Sequence, residues 1–226
     1  MYGRRYQGRE LTFEASGGLL NAALVMRDKE TGSYWPIMTG EAATGVLKGT
    51  RLQELAAGVK AQWRDWLRQH PDTVVLSVDG VEHVDNNPYD QYMASDSGFR
   101  RMATPDKRLP NKESIWAFEL GGRRFALPFR AFEGGRALEI EGWWVFLYRP
   151  KGVSPYVSTR AWISRGRFVA ADGSWLHEPT GARYDPSRSV FTGGSPGDPR
   201  PLSGFDTFWY TWSLTHPDTE VIAPRP

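Results

Sequence analysis

The sequence predicts an α+β fold, predominantly antiparallel β with a few short helices, in which two pseudo-symmetric related units flank a central sheet. Three observations predict it. Residues 113–170 hold a succession of short apolar runs bounded by Gly, Pro or Asp, the pattern of strands joined by tight turns. A block of rare residues occurs twice in one spacing: Trp63, Trp66, His70, Pro71, Asp72 and Thr73 return 146 positions later as Trp209, Trp212, His216, Pro217, Asp218 and Thr219. Upstream of each copy lies a second echo, Thr31-Gly32 before Trp35 against Thr180-Gly181 before Tyr184, at an offset of 149. Two copies are too few for a solenoid. The duplication therefore reads as one globular domain, residues 1–226, with related units at 10–78 and 166–222, a polar loop at 79–112 and a central β region at 113–165.

Taken in order, residues 11–15 and 23–27 are strand-length β-compatible runs, Thr31-Gly32 is turn chemistry, and a short strand follows at 34–38, together an antiparallel meander. Trp63, Trp66, Leu67 and His70 fall at i, i+3, i+4 and i+7, one face of a helix, and Pro71 stops it because its ring cannot accept another turn. Residues 74–78 read as a β-branched strand. Residues 79–110 are polar, with a turn at 85–89 and a helical turn carrying Tyr89 and Tyr92. Strands are expected at 115–120, 124–127, 143–148, 156–163 and 167–170, with Gly121-Gly122 as a hairpin turn. The second unit repeats the grammar with Phe168, a shorter helix bearing Trp209 and Trp212, and a strand at 220–222. The Trp pairs of both helices read as core side chains. Residues 185–206 form a Gly-, Ser- and Pro-rich loop of a length that is usually functional or mobile.

Composition removes several function classes. A chain of 226 residues buries roughly 70% of the surface its unfolded form exposes, so it needs no covalent staples. No run approaches the roughly 18 apolar residues of a membrane helix, and Met1 is followed by Tyr2, Gly3, Arg4, Arg5 and Tyr6, which is no export signal. No membrane span is expected, and the cytoplasm is the default location. The 28 basic and 26 acidic residues give a net charge of +2 with no basic tail, which argues against a nucleic-acid partner. The absence of cysteine excludes disulfides, thiolate nucleophiles and iron–sulfur clusters. No His-Glu-x-x-His, Gly-x-Ser-x-Gly, phosphate-loop or dinucleotide-binding pattern is present.

Residues 13–19, 28–35 with their Thr-Gly-Ser-Tyr-Trp run, 40–42, 45–52, 63–73, 88–96, 108–113 and 208–219 carry a resemblance along almost the whole chain. They resemble the bacterial and archaeal family known as domain of unknown function 3179. The resemblance is specific for membership and implies no reaction. Family members are often longer at the N-terminus, with a Cys-Pro-rich segment and sometimes an export signal. The residues in hand lack that segment, so the resemblance carries no thiol-dependent role here, while exported relatives make an envelope or extracytoplasmic location the alternative expectation.

Two sets of residues are candidates for chemistry. His70, Asp72, His216 and Asp218, brought together across a pseudo-twofold axis, would ligate a divalent metal or act as paired acid and base. The structural reading is that each His closes a helix C-terminus while Asp and Thr satisfy turn amides. Tyr89, Tyr92, Asp96, Arg108 and Lys112, in and beside the polar loop, would hold an anion or carboxylate ligand. Opposite charges there also fit a solvated loop. No cofactor is required by the sequence. The resulting expectation is a non-catalytic ligand-binding or interaction domain with a small molecule or protein as partner; the alternative is a metal-assisted hydrolase using the duplicated His-Pro-Asp-Thr segments.

Overall fold

The computed structural model describes residues 1–56, 58–75, 89–153 and 157–224. The end of the strand expected at 74–78, the turn at 85–88, His83 and the start of the strand expected at 156–163 lie outside the described residues. Strands β1 (Arg5–Tyr6) and β2 (Arg9–Glu10) form a small ribbon, and β3 (Phe13–Leu20), β4 (Ala23–Asp28) and β5 (Tyr34–Pro36) form the expected meander. Helix α1 (Trp63–Gln69) and the one-turn helix α2 (Asp90–Ala94) follow. Next come β6 (Ser114–Leu120), β7 (Arg123–Pro128), β8 (Arg136–Ile140), β9 (Trp143–Tyr148) and β10 (Arg160–Ser164). The chain continues through β11 (Phe168–Ala171), β12 (Ser174–His177), β13 (Ala182–Asp185), β14 (Val190–Thr192), β15 (Arg200–Pro201) and β16 (Phe205–Phe208). It closes with helix α3 (Trp209–Thr215) and β17 (Glu220–Val221).

The protein is thus mostly antiparallel β with three short α-helices among the described residues. Its three four-stranded sheets have the orders β16-β6-β7-β17, β15-β10-β9-β8 and β11-β12-β13-β14. Only β17 against β7 is a parallel pair among the described strands. Five hairpins are closed by two-residue turns in which both residues have positive φ: Gln7-Gly8, Asn21-Ala22, Gly121-Gly122, Glu141-Gly142 and Asp172-Gly173. That geometry matches the right-handed twist of the flanking strands, so these dipeptides fix register as well as reversing the chain.

Burial explains why the central strands read as continuous apolar runs. In β6, Ile115, Trp116, Ala117 and Phe118 are all buried, because both faces of its sheet are covered. One face packs Ile115, Ala117 and Ala126 against Trp209 and Trp212 of α3. The other packs Trp116, Phe118, Phe125 and Leu127 against Val145 and Leu147 of β9. Strand β9 is also two-sided: Phe146, between those two residues, points into a third cluster with Phe168 and Tyr184. Each such side chain contributes about 1.5–3 kcal/mol on removal from water. No helix among the described residues is long and apolar enough to cross a membrane.

Helix α1 departs from expectation. Trp63 is 51% exposed, Leu67 is exposed, and α1 contains no buried residue, whereas Trp209, Tyr210, Thr211, Trp212 and Ser213 of α3 are all buried. The same sequence pattern is core in one place and surface in the other, because among the described residues only α3 has a sheet beneath it.

Candidate functional site

The duplicated block folds into one local device, twice. His70 and His216 end their helices with φ/ψ of −133/70 and −131/73, and each donates its backbone N–H to the Trp one turn back at 2.8 Å. Thr73 and Thr219 each donate a hydroxyl to the His carbonyl, at 2.8 and 2.7 Å, and accept the indole N–H of Trp66 or Trp212, at 3.0 and 2.8 Å. The imidazoles lie on the same Trp rings at centroid distances of 4.2 and 4.3 Å. A Thr that donates to a helix-end carbonyl satisfies a group that helix termination leaves open, and by accepting an indole N–H it satisfies the Trp donor as well.

Beyond that device the two copies part. His70 and Asp72 are exposed. His216 is buried against the Met38 carbonyl, 3.4 Å from Nε2, and burial holds its imidazole below the usual histidine range. It lines a small pocket of about 210 Å³ with Thr39, Glu41, Arg51, Arg124 and Thr215. Asp218 is exposed and pairs with Arg124 at 3.0 Å, while Glu119 pairs with Arg51 at 3.2 Å. Among the described residues no three His, Asp or Glu side chains come together as a metal ion would require, so the metal-assisted alternative draws no support from this geometry.

The second candidate set joins pieces of chain. Lys112 donates to the carbonyls of Tyr92 and Ser95 at the end of α2, and its ammonium lies 4.0 Å from the Tyr92 ring centroid. Tyr92 shares a hydrogen bond of 2.9 Å with Tyr210. Arg108 pairs with Asp106 at 2.6 Å and donates to the Thr219 carbonyl, also at 2.6 Å. Tyr89 is exposed at the start of α2, and Asp96 is exposed beyond its end.

A Ser-His-Asp grouping, with its serine and histidine buried and its aspartate partly exposed, went unseen in the sequence. His177 Nε2 lies 2.8 Å from Ser164 Oγ, which donates to Asp198 at 3.0 Å, and His177 Nδ1 lies 2.7 Å from Thr180 Oγ1. The order is wrong for nucleophilic attack. A triad needs the carboxylate on Nδ1 and a free hydroxyl on Nε2, whereas here serine and carboxylate share one side and Ser164 also accepts the Gly166 amide. Ser164 and His177 are fully buried, and burial lowers the imidazole pKa. The hydroxyls of Thr180 and Ser164 suit a neutral ring protonated at Nε2.

The larger concavity lies elsewhere. A cleft of about 520 Å³ opens between a strap formed by residues 55–56 and 58–60, strand β10, the turn before β14, and strands β15 and β16. Its size is that of a small-molecule site. Lys60 and Ser158 fasten the strap to the segment before β10 by two bonds, Lys60 N to Ser158 Oγ at 2.7 Å and Ser158 N to the Lys60 carbonyl at 2.9 Å. Asp206 ties β16 to the same segment, accepting the Thr159 amide at 2.9 Å and its hydroxyl at 2.6 Å. Burial raises the Asp206 carboxyl above the ordinary range, against those two bonds and the charges of Lys60 and Arg149. Trp116, Trp162 and Phe205 supply aromatic lining, and Arg160 and Arg188 supply charge. The indole N–H of Trp162 is buried and meets no acceptor among the described residues.

A layered antiparallel β protein with an aromatic and polar cleft at the junction of its sheets is the class these features define. The chain belongs to the family described as Protein of unknown function (DUF3179), whose model matches residues 1–219. No curated protein and no solved structure matches it.

Proposed function

We propose that this chain is a non-catalytic ligand-binding domain and that the cleft beside β10 is where it binds. The observation that carries the reading is the cleft itself: about 520 Å³, with indole and phenyl lining, three basic side chains and one half-buried carboxylate. Concave, partly apolar sites with a few converging polar groups are where small molecules bind, and a perturbed carboxyl within one strengthens the assignment. The order of the Ser164, His177 and Asp198 contacts speaks against acyl transfer at that grouping.

The test uses the two Trp that line the cleft as reporters. Titrating the protein with panels of sugars, short peptides and organic anions is expected to give a saturable fluorescence change and a raised Tm with one panel. Ser203→Trp, which places a large side chain in the cleft lining, is expected to abolish both. A protein that binds none of the panels yet turns over a substrate would remove the reading.

A further inference from the structure

The charges of the cleft narrow its ligand, an inference that rests on the binding reading just given. Three cationic side chains line it, Lys60, Arg160 and Arg188, against one carboxylate, Asp206. Asp206 is already occupied, with Thr159 on its oxygens and the charges of Lys60 and Arg149 nearby. Arg160 and Arg188 form no ion pair with any described carboxylate. Asp185, close to Arg188, turns its Oδ1 to the backbone amides of Ser187 and Arg188 and to the Ser187 hydroxyl. The remaining polar groups include the buried indole N–H of Trp162, a donor only.

We infer that the ligand is an organic anion: a carboxylate or phosphate held by Arg160 and Arg188, carried on a flat apolar body that lies against Trp162 and Phe205. A cation would meet three like charges, and a neutral molecule would leave Arg160 without a counter-charge and Arg188 with only the nearby, already hydrogen-bonded Asp185. A guanidinium presents a fixed fork of donors that fits carboxylate and phosphate oxygens two at a time. Inorganic phosphate alone would fill little of a cleft of about 520 Å³, and the aromatic lining favours a planar body. The anion site the sequence suggested at Arg108 and Lys112 is engaged by carbonyls and Asp106, whereas these two arginines form no ion pair with a described carboxylate.

The experiment is isothermal titration of the full chain with matched pairs differing in charge: adenosine 5′-monophosphate against adenosine for the phosphate arm, and 1-naphthylacetate against 1-naphthylacetamide for the carboxylate arm. Inorganic phosphate is titrated alone. In at least one arm the charged member should bind about tenfold or more tightly than its neutral partner, with affinity falling as salt rises. Arg160→Gln and Arg188→Gln should each weaken it about tenfold with unchanged Tm, while Arg100→Gln on a remote loop leaves it alone. Equal binding of neutral members, or indifference to both arginine variants, overturns the anion inference and leaves the binding domain standing. Phosphate binding as tightly as the nucleotide overturns the need for an organic body. No heat from any pair overturns the inference, and the wider panel of the preceding test then decides separately whether the domain binds anything.

Discussion

Asp28 shows how a single side chain can organise a hairpin. It is fully buried, and its oxygens accept the Thr31 amide at 2.5 Å, the Thr31 hydroxyl at 2.7 Å and the Trp35 indole N–H at 2.8 Å. Burial alone would raise the carboxyl; the bonds from Trp35, Thr31 and Ser33 outweigh it and hold the pKa below the ordinary value. A depressed carboxyl contributes stability that is present above its unfolded pKa of about 3.9 and lost as pH falls through the folded value. We expect Asp28→Asn to lower the free energy of unfolding at pH 7 by about 1–3 kcal/mol, and to remove part of the stability decline below pH 4 in urea melts. His216 has the opposite charge and the same sign. Burial lowers its pKa, so its contribution is present above about pH 6.5 and is lost as pH falls below that. His216→Gln should therefore flatten the change in urea midpoint between pH 7 and pH 5, with His177 left to account for what remains. Turn chemistry around Thr31 and Gly32 was legible in the sequence. That Asp28 is buried at its centre was not, since an exposed Asp beside Lys29 and Glu30 reads the same way in one dimension.

Among the elements, the helix-stop device gives the sharpest comparison, because one set of bonds stands in two environments. Thr219 is buried and Thr73 is half-buried. Thr219→Val leaves the Trp212 indole without its acceptor and the His216 carbonyl with only the residue 219 amide, in a dry setting, and should cost about 1–3 kcal/mol. Thr73→Val makes the same deletion where water can substitute, and should cost under about 0.5 kcal/mol. Chemical denaturation of the two variants, followed by the same probe, measures the difference. The sequence displayed the device through its six repeated residues, yet nothing within the repeat distinguishes the copy that has a sheet beneath it. Strands with strong apolar runs, such as β6, β7 and β9, were equally legible. Strand β8 was missed because its Arg136, Ala137, Leu138 and Glu139 give no clear alternation, and β16 because Phe205 and Asp206 sit at the end of a Gly- and Pro-rich stretch.

At the scale of the whole molecule, the cleft depends on residues that sequence reading had no reason to group. Lys60, Arg160, Arg188 and Asp206 come from four distant segments, each ordinary on its own, and only the junction of the strap with β10, β14, β15 and β16 assembles them. Gly204 shows how tightly that junction is built. A Cβ there would stand 2.5 Å from the Trp116 ring and 2.8 Å from the Ala117 carbonyl. Gly204→Ala should destabilise the protein by about 1–3 kcal/mol and shift the Trp emission maximum, which links the cleft lining to the core behind it.

The central sheet carries a further consequence in its strand order, β16-β6-β7-β17. Both outer strands come from residues 205–221, as does α3, which covers one face. During synthesis the β6–β7 hairpin therefore waits with both edges open until the ribosome has delivered almost all of the described chain. A nascent chain stalled before residue 205 exposes two unpaired edges and an uncovered apolar face, the state that chaperones recognise and that aggregates when they are scarce.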